Sequence, residues 1–211
     1  MFFNEEEEYQ IEQLPNDIEQ YDIIYKIGIF GDNKVGKTSL IKRAVNNEFS
    51  EDYEKTEKYA ILNMFLKLNN DIIKLQIWDI SSDNSSISFL SNQLHLAIIC
   101  YSIENKESFQ NIEKWLNFLK HNTNSQIKIF LVGNKSDLND RVITLDEGEN
   151  FQQKNSLDFF IENSAKNGYK SKNIFIEAVK CLCKKEEDEI NLEIGDMSND
   201  KSCSSKKCYL I

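Results

Sequence analysis

The stretch Gly31–Thr38, which reads Gly-Asp-Asn-Lys-Val-Gly-Lys-Thr, constrains the fold of this chain more than any other feature. An apolar, β-branched run at residues 23–30 precedes it, and apolar residues at helical spacing follow it. Its two glycines permit backbone turns that other residues resist, so that successive N–H groups can face phosphate oxygens at a helix N-terminus. Strand, loop and helix in this order predict a phosphate-binding loop. The alternative is a chance glycine turn.

Three side chains of this loop are candidates for contacts with phosphate or metal. Lys37 supplies a point charge for the outer phosphates, and the Thr38 hydroxyl is a candidate ligand of Mg²⁺. Lys34 would either stabilise phosphate charge or point to solvent.

The acidity of the chain lies at its two ends. The formal net charge is −10, yet residues 1–20 hold seven acids and no Lys or Arg, and residues 186–211 hold seven acids and three lysines. Nucleic-acid binding needs a basic face, so this distribution argues against it. We expect an acidic, solvated extension at 1–20, one domain at 21–185 and a disordered tail at 186–211.

The cysteine count suggests a reducing compartment, and the hydropathy gives no membrane span. Five cysteines, an odd number, and the lack of a signal-peptide pattern at the N-terminus fit this expectation. No run approaches the roughly 20 apolar residues of a membrane span.

Alternating strand and helix patterns predict a layered α/β fold with right-handed crossovers. We expect a mostly parallel six-stranded sheet with helices on both faces and one antiparallel edge hairpin. The expected strands are residues 21–30, 58–68, 72–79, 94–101, 127–132 and 157–161. The expected helices follow the phosphate loop to about Glu48, contain Phe109 to Leu119, span 145–154, and end the domain near Lys185. Ligands of such sheets bind at the carboxyl ends of the strands.

Four ordered motifs resemble those of the small GTPase superfamily. They are the phosphate loop, Asp79 at the end of a strand, Asn134-Lys135-Ser136-Asp137, and Ser164-Ala165-Lys166. The stretches 74–79, 131–138 and 163–169 look most like the Rab branch, and the resemblance covers residues 21–185. It implies a Ras-like G domain, which is a P-loop NTPase fold.

The resemblance implies a guanine site. The Asp137 carboxylate would accept hydrogen bonds from N1–H and the 2-amino group of guanine, whereas adenine would leave it unpaired, which disfavours an ATP-using nucleotidase. Asn134 and Lys135 would brace the loop and cover the base. The Ala165 amide would donate to the guanine carbonyl, with Ser164 and Lys166 shaping its loop. Phe49 has the family spacing for the aromatic beside the base, although an ordinary core Phe fits equally well.

The resemblance also implies a switch. Thr56 would bind Mg²⁺ only while the γ-phosphate is present, and its release would free the loop. Tyr53 would close over the phosphates, and Asp79 would hold Mg²⁺ through water. The implied metal ligands are therefore Thr38, Thr56 and Asp79. The implied nucleotide-binding residues are Gly31, Asn33, Lys34, Val35, Gly36, Lys37, Thr38, Ser39, Phe49, Tyr53, Thr56, Ser82, Asn134, Lys135, Asp137, Ser164, Ala165 and Lys166.

The motif that begins at Asp79 departs from the family pattern. The family follows the strand-ending Asp with Thr-Ala-Gly-Gln, whereas here Ile80-Ser81-Ser82-Asp83 follows Asp79. Ser82 replaces a glycine, and Asp83 replaces the glutamine that orients the attacking water. The implied catalytic residues are Lys37, Thr56 and Asp83. We expect binding of GTP and GDP with Mg²⁺ and slow hydrolysis of GTP; the alternative is a GTP-binding scaffold without turnover.

The last four residues, Cys208-Tyr-Leu-Ile211, match a C-a-a-X prenylation signal, and the final Ile favours geranylgeranyl. Cys203 is a candidate for a second lipid, because one chain holds a membrane weakly. The alternative is an unmodified apolar end. We expect a monomer that switches vesicle or membrane traffic on the cytoplasmic face of an intracellular membrane and cycles with the cytosol. Its expected partners are effectors, an exchange factor, a GTPase-activating protein and the membrane, with no nucleic acid.

Overall fold

A computed structural model describes residues 10–82, 93–123 and 127–197, with the backbone alone for 185–197. The strands within these ranges are β1 (Ile11–Leu14), β2 (Ile23–Phe30), β3 (Tyr59–Leu68), β4 (Asp71–Ile80), β5 (Leu96–Ser102), β6 (Lys128–Asn134) and β7 (Phe159–Glu162). The helices are α1 (Lys37–Asn46), α2 (Lys106–Gln110), α3 (Ile112–Asn122), α4 (Leu145–Lys154) and α5 (Ser171–Met197).

All the strands belong to one mixed sheet with the order β1-β3-β4-β2-β5-β6-β7. The pairs β2–β4, β2–β5, β5–β6 and β6–β7 are parallel, whereas β1–β3 and β3–β4 are antiparallel. The predicted fold class and the hairpin are therefore confirmed. In the hairpin Leu68 pairs with Asp71, and Asn69 turns the chain with a left-handed φ of 55°.

The prediction of six strands is wrong, because the sheet has seven. The additional strand is β1, which lies within the extension expected to be solvated. Ile11 pairs with Leu68 and packs against the core, and the Gln13 amide donates to the Val45 carbonyl over 3.1 Å. Four residues among acidic neighbours carry too little pattern to predict a strand, and the edge that they pair with lies far along the chain.

The sheet is buried on both faces, which explains the nearly continuous apolar sequence of its central strands. One core packs α1 and α5 against residues such as Ile27, Ile29 and Leu75, and the other packs α3 against residues such as Phe30 and Ile99. Strands β2, β4, β6 and β7 run in the same direction, so their carboxyl ends lie at the same end of the sheet. The segments that follow these strands therefore begin side by side on buried strands.

Two expected helix boundaries differ from the structure. The helix expected across Phe109–Leu119 is divided into α2 and α3, which meet at Asn111. The final helix continues to Met197, beyond the expected end near Lys185. Within the described ranges, none of the helices combines the length and the apolar character needed to cross a membrane.

Candidate nucleotide site

The phosphate loop has the backbone geometry that its glycines predict. Gly31 and Gly36 have φ values of 139° and 92°. A Cβ at Gly31 would lie 2.1 Å from the Cys100 carbonyl oxygen, and one at Gly36 would lie 2.3 Å from Asn134 Nδ2. Lys34 is also left-handed, with φ 63°, although it is not glycine. The loop therefore packs closely on β5 and β6, and a side chain at either glycine position would displace it.

Lys37 is the first residue of α1, and its side chain turns back over the loop. Its ammonium donates to the carbonyls of Gly31 and Asp32, each over 2.7 Å. Only 7% of the residue is exposed. The loop therefore holds one positive charge in its concave side, where an anionic group would be stabilised.

Three oxygen-bearing side chains from separate segments meet beside Lys37. The Thr38 hydroxyl donates to Asp79 Oδ2 over 2.6 Å, and the Thr56 hydroxyl donates to the same oxygen over 3.1 Å. The two hydroxyl oxygens lie 3.2 Å apart. Asp79 is fully buried, and its Oδ1 has no hydrogen-bond partner among the described residues. An unpaired buried carboxylate oxygen is costly, and hard oxygen donors suit Mg²⁺, so this cluster fits the expected cation.

Asn134, the last residue of β6, ties the candidate base site to the phosphate loop. Its amide donates to the carbonyls of Val35 over 2.9 Å and Gly36 over 3.2 Å. Its side-chain oxygen, Oδ1, accepts from Asn163 Nδ2 over 2.7 Å. Asn134 is 1% exposed, so it acts here as an internal brace.

Asp137 belongs to the loop that follows β6 and contacts the loop that follows β7. The Ser164 hydroxyl donates to Asp137 Oδ1 over 2.5 Å, and the carboxylate also lines the cleft. Arg43 of α1 holds the second loop in place by donating to the carbonyls of Ala165 over 2.7 Å and Lys166 over 2.8 Å. The loops that follow β6 and β7 therefore form one wall of the candidate base site.

A cleft of about 490 Å³ runs between these groups. Of the predicted site residues, it is lined by Asn33, Lys34, Gly36, Lys37, Thr38, Ser39, Phe49, Tyr53, Thr56, Asn134, Lys135, Asp137, Ala165 and Lys166. Gly31, Val35, Asp79, Ser82 and Ser164 are not part of the lining, and all of them except Ser82 are buried. Phe49 lines the cleft and belongs to neither core, which favours a site position over the core alternative. Asp83, Cys203 and Cys208 lie outside the described residues.

The switch segment, residues 49–57, supplies half of the cleft lining that the sequence did not indicate. The lining residues that were not predicted are Lys42, Ser50, Glu51, Asp52, Glu54, Ile80, Ser81 and Leu138. Glu51 pairs with Lys166 over 2.8 Å, and this hydrogen bond lowers the pKa of Glu51. The pair joins the switch segment to the loop after β7. The polar segment has no period, so its sequence gave no signal of these contacts.

Two supporting residues also lacked a sequence signal. Asn163 bridges Asn134 and Ser171, whose hydroxyl donates to Asn163 Oδ1 over 2.7 Å. Glu104 forms an ion pair with Lys135. An isolated Asn or Glu is common on any surface, and only the fold shows that these residues orient the predicted ones.

Fold and site together define a P-loop G domain with a phosphate loop, a candidate base-binding wall and a hard-oxygen cluster. The family model described as "Ras family" matches residues 26–184. The Ras-related protein RIC2 of Oryza sativa subsp. japonica is 33% identical over 165 residues, 76% of each chain. Ras-related Rab-11B of Dictyostelium discoideum is 39% identical over 150 residues, 69% of this chain and 68% of the relative. Ras-related Rab11B of Nicotiana tabacum is 31% identical over 186 residues, 84% and 83% respectively.

The chain therefore belongs to the Ras family of small GTPases, in its Rab-like branch. The predicted family and the Ras-like G domain are confirmed. Members of this family are guanine-nucleotide switches that use Mg²⁺, hydrolyse GTP, and work with regulators and effectors.

Proposed function

We propose that this protein is a Rab-like switch in vesicle or membrane traffic, which binds GTP or GDP with Mg²⁺ and hydrolyses GTP slowly. The observation that carries the proposal is that the hydroxyls of Thr38 and Thr56 both donate to the buried carboxylate of Asp79. The cluster joins α1, the switch segment and β4. The cation that it fits would therefore connect the state of the nucleotide to the position of the switch segment.

Lys37 and the loop amides would hold the phosphates, and Thr38, Thr56 and Asp79 would hold Mg²⁺, with Asp79 acting through water. The cation would neutralise charge on the phosphate oxygens. Lys37 would stabilise the charge that develops as water attacks the γ-phosphorus and GDP leaves. Loss of the γ-phosphate would release Thr56 from the cation, and this release would free the switch segment.

The base specificity of the proposal rests on Asp137. Its carboxylate lies at the cleft with one oxygen bound to Ser164. Guanine can donate two hydrogen bonds to such a carboxylate, and adenine cannot. Arg43 and Asn134 hold the surrounding loops, so that the carboxylate is already in position before the nucleotide binds.

Slow hydrolysis follows from the sequence at residue 83. A carboxylate there would be shorter than the family glutamine and would add negative charge near the γ-phosphate, so we expect it to orient the attacking water poorly. Asp83→Gln should raise the rate of single-turnover GTP hydrolysis. A wild-type rate ordinary for the family would contradict slow hydrolysis, and no gain in the variant would show that Asp83 is not the limiting group.

A second candidate function is a GTP-binding scaffold that recruits partners to a membrane without turnover. The altered sequence Ser81-Ser82-Asp83 favours it. The protein should be purified without added nucleotide and denatured, and the released nucleotide should be identified by chromatography. Mostly GDP supports a cycling switch, and mostly GTP supports the scaffold. Adenine nucleotide, or none, would refute guanine-nucleotide binding.

Membrane attachment is proposed to occur through Cys208, supported by Lys201, Lys206 and Lys207 and with Cys203 as a second lipid site. Two relatives bear Rab11 names, which supports a role in membrane traffic. We propose effectors, an exchange factor and a GTPase-activating protein as partners of a monomer that cycles between cytosol and membrane. Cys208→Ser should shift the protein to the cytosolic fraction, and an unchanged membrane fraction would refute this attachment.

A further inference from the structure

Asp32, the second residue of the phosphate loop, makes contacts outside the cleft. Its carboxylate accepts a hydrogen bond from Asn111 Nδ2 over 2.7 Å and another from Trp115 Nε1 over 3.0 Å. Asp32 is half-buried and is not part of the cleft lining. Hydrogen bonds to a charged acceptor are stronger than neutral ones. The phosphate loop is therefore attached to the junction of α2 and α3.

The backbone of the same residue faces Lys37. The Asp32 carbonyl accepts from the Lys37 ammonium over 2.7 Å. Asp32 thus joins two sets of contacts, with Asn111 and Trp115 on its side chain and the phosphate-site lysine on its carbonyl. A shift of the side chain would move the carbonyl, because the two groups share one Cα.

Both partners of the carboxylate are held firmly. Trp115 is 7% exposed and packs in the core, with its ring centroid 6.2 Å from that of Phe30, the residue before Gly31. Asn111 lies between α2 and α3, and its side chain makes no capping hydrogen bond to α3. Its amide is instead directed to Asp32.

We propose that Asp32 is a positioning residue, which transmits the placement of Asn111 and Trp115 to Lys37 and so slows nucleotide release. The inference rests on the proposed binding of guanine nucleotide. It makes the α2–α3 junction, outside the cleft, a determinant of how long the nucleotide stays bound.

The test measures the release of a fluorescent GDP from the full-length protein after addition of excess unlabelled GDP. Asn111→Ala removes one donor without touching the cleft, and Trp115→Phe removes the indole N–H while keeping an aromatic ring in the core. Each should accelerate release about threefold to tenfold, where tenfold equals about 1.4 kcal/mol. Asp32→Ala should be at least as fast, and Asp32→Asn, which keeps an acceptor, should fall between it and wild type. Asn117→Ala, at an exposed position of α3, is the matched control and should be unchanged.

A second readout separates positioning of Lys37 from general loosening of the fold. GMP lacks the β-phosphate, so it should lose little affinity in Asn111→Ala, whereas GDP should lose affinity in proportion to its faster release. Equal losses for GMP and GDP would overturn the proposal, as would unchanged release in Asn111→Ala and Trp115→Phe. If Asp32→Ala does not fold, the Asn111 and Trp115 variants still decide the question. Wild-type protein that binds no GDP would refute the proposed function itself, together with this inference.

Discussion

Gly36→Ala tests whether the close approach of the phosphate loop to β6 is essential. Gly36 has a φ of 92°, and a Cβ there would lie 2.3 Å from Asn134 Nδ2. The Asn134 amide cannot move aside freely, because it donates to the carbonyls of Val35 and Gly36 while its oxygen accepts from Asn163. The substitution therefore strains the backbone and breaks a buried hydrogen-bond network.

The expected cost follows from these two effects. A left-handed φ at alanine costs about 1–2 kcal/mol. Loss of the two Asn134 donor contacts costs about 0.5–1.5 kcal/mol each. The free energy of unfolding should fall by roughly 2–5 kcal/mol, which at a urea m-value of about 2 kcal/mol/M lowers the midpoint by about 1–2.5 M.

Gly168→Ala is the matched control for backbone strain alone. Gly168 has a φ of 80°, but its added Cβ would meet only Arg43 Cδ, at an ordinary 3.6 Å. The free energy of unfolding of Gly168→Ala should fall only by the cost of this backbone strain, about 1–2 kcal/mol. Urea unfolding of both variants with nucleotide removed makes the comparison. Equal midpoints for Gly36→Ala and Gly168→Ala would refute the contribution of the Asn134 network.

Three further predictions concern the switch cluster, a buried thiol and the edge strand. Thr56→Val removes the hydroxyl that donates to Asp79, and it should weaken Mg²⁺ binding to the GTP-loaded protein but not to the GDP-loaded protein. Magnesium titration of both forms measures this difference, and equal weakening of the two would contradict the switch role. Burial raises the pKa of Cys100 to about 12 from 9.0, so its contribution to stability is complete below about pH 9 and is lost as pH rises towards 12. At pH 8 a thiol reagent followed by mass spectrometry should leave Cys100 unmodified until urea unfolds the chain, and rapid labelling of native protein would contradict this. Deletion of residues 1–16 removes β1 and the Gln13 contact and should lower the urea midpoint, whereas an unchanged midpoint would show that β1 adds no stability.

The sequence by itself determined the elements that have a local cause. The phosphate loop was predictable because its glycines and the flanking strand and helix are contiguous, and the hairpin because period-two alternation flanks Asn69 and Asn70. Helix α4 was predicted with its observed bounds, and the capping box between Thr144 and Glu147 fixes its start. The order of the nucleotide motifs indicated the family before any contact was known.

Only the tertiary structure decided which of these segments meet. Glu51 and Lys166 share a hydrogen bond although they are 115 residues apart, and no pattern in the sequence signals that contact. The pairing of β1 with β3 and the hydrogen bond from Asn111 to Asp32 were hidden from the sequence in the same way. Each depends on groups distant in sequence that can satisfy one another only after the sheet has formed, so no periodicity in the chain records them.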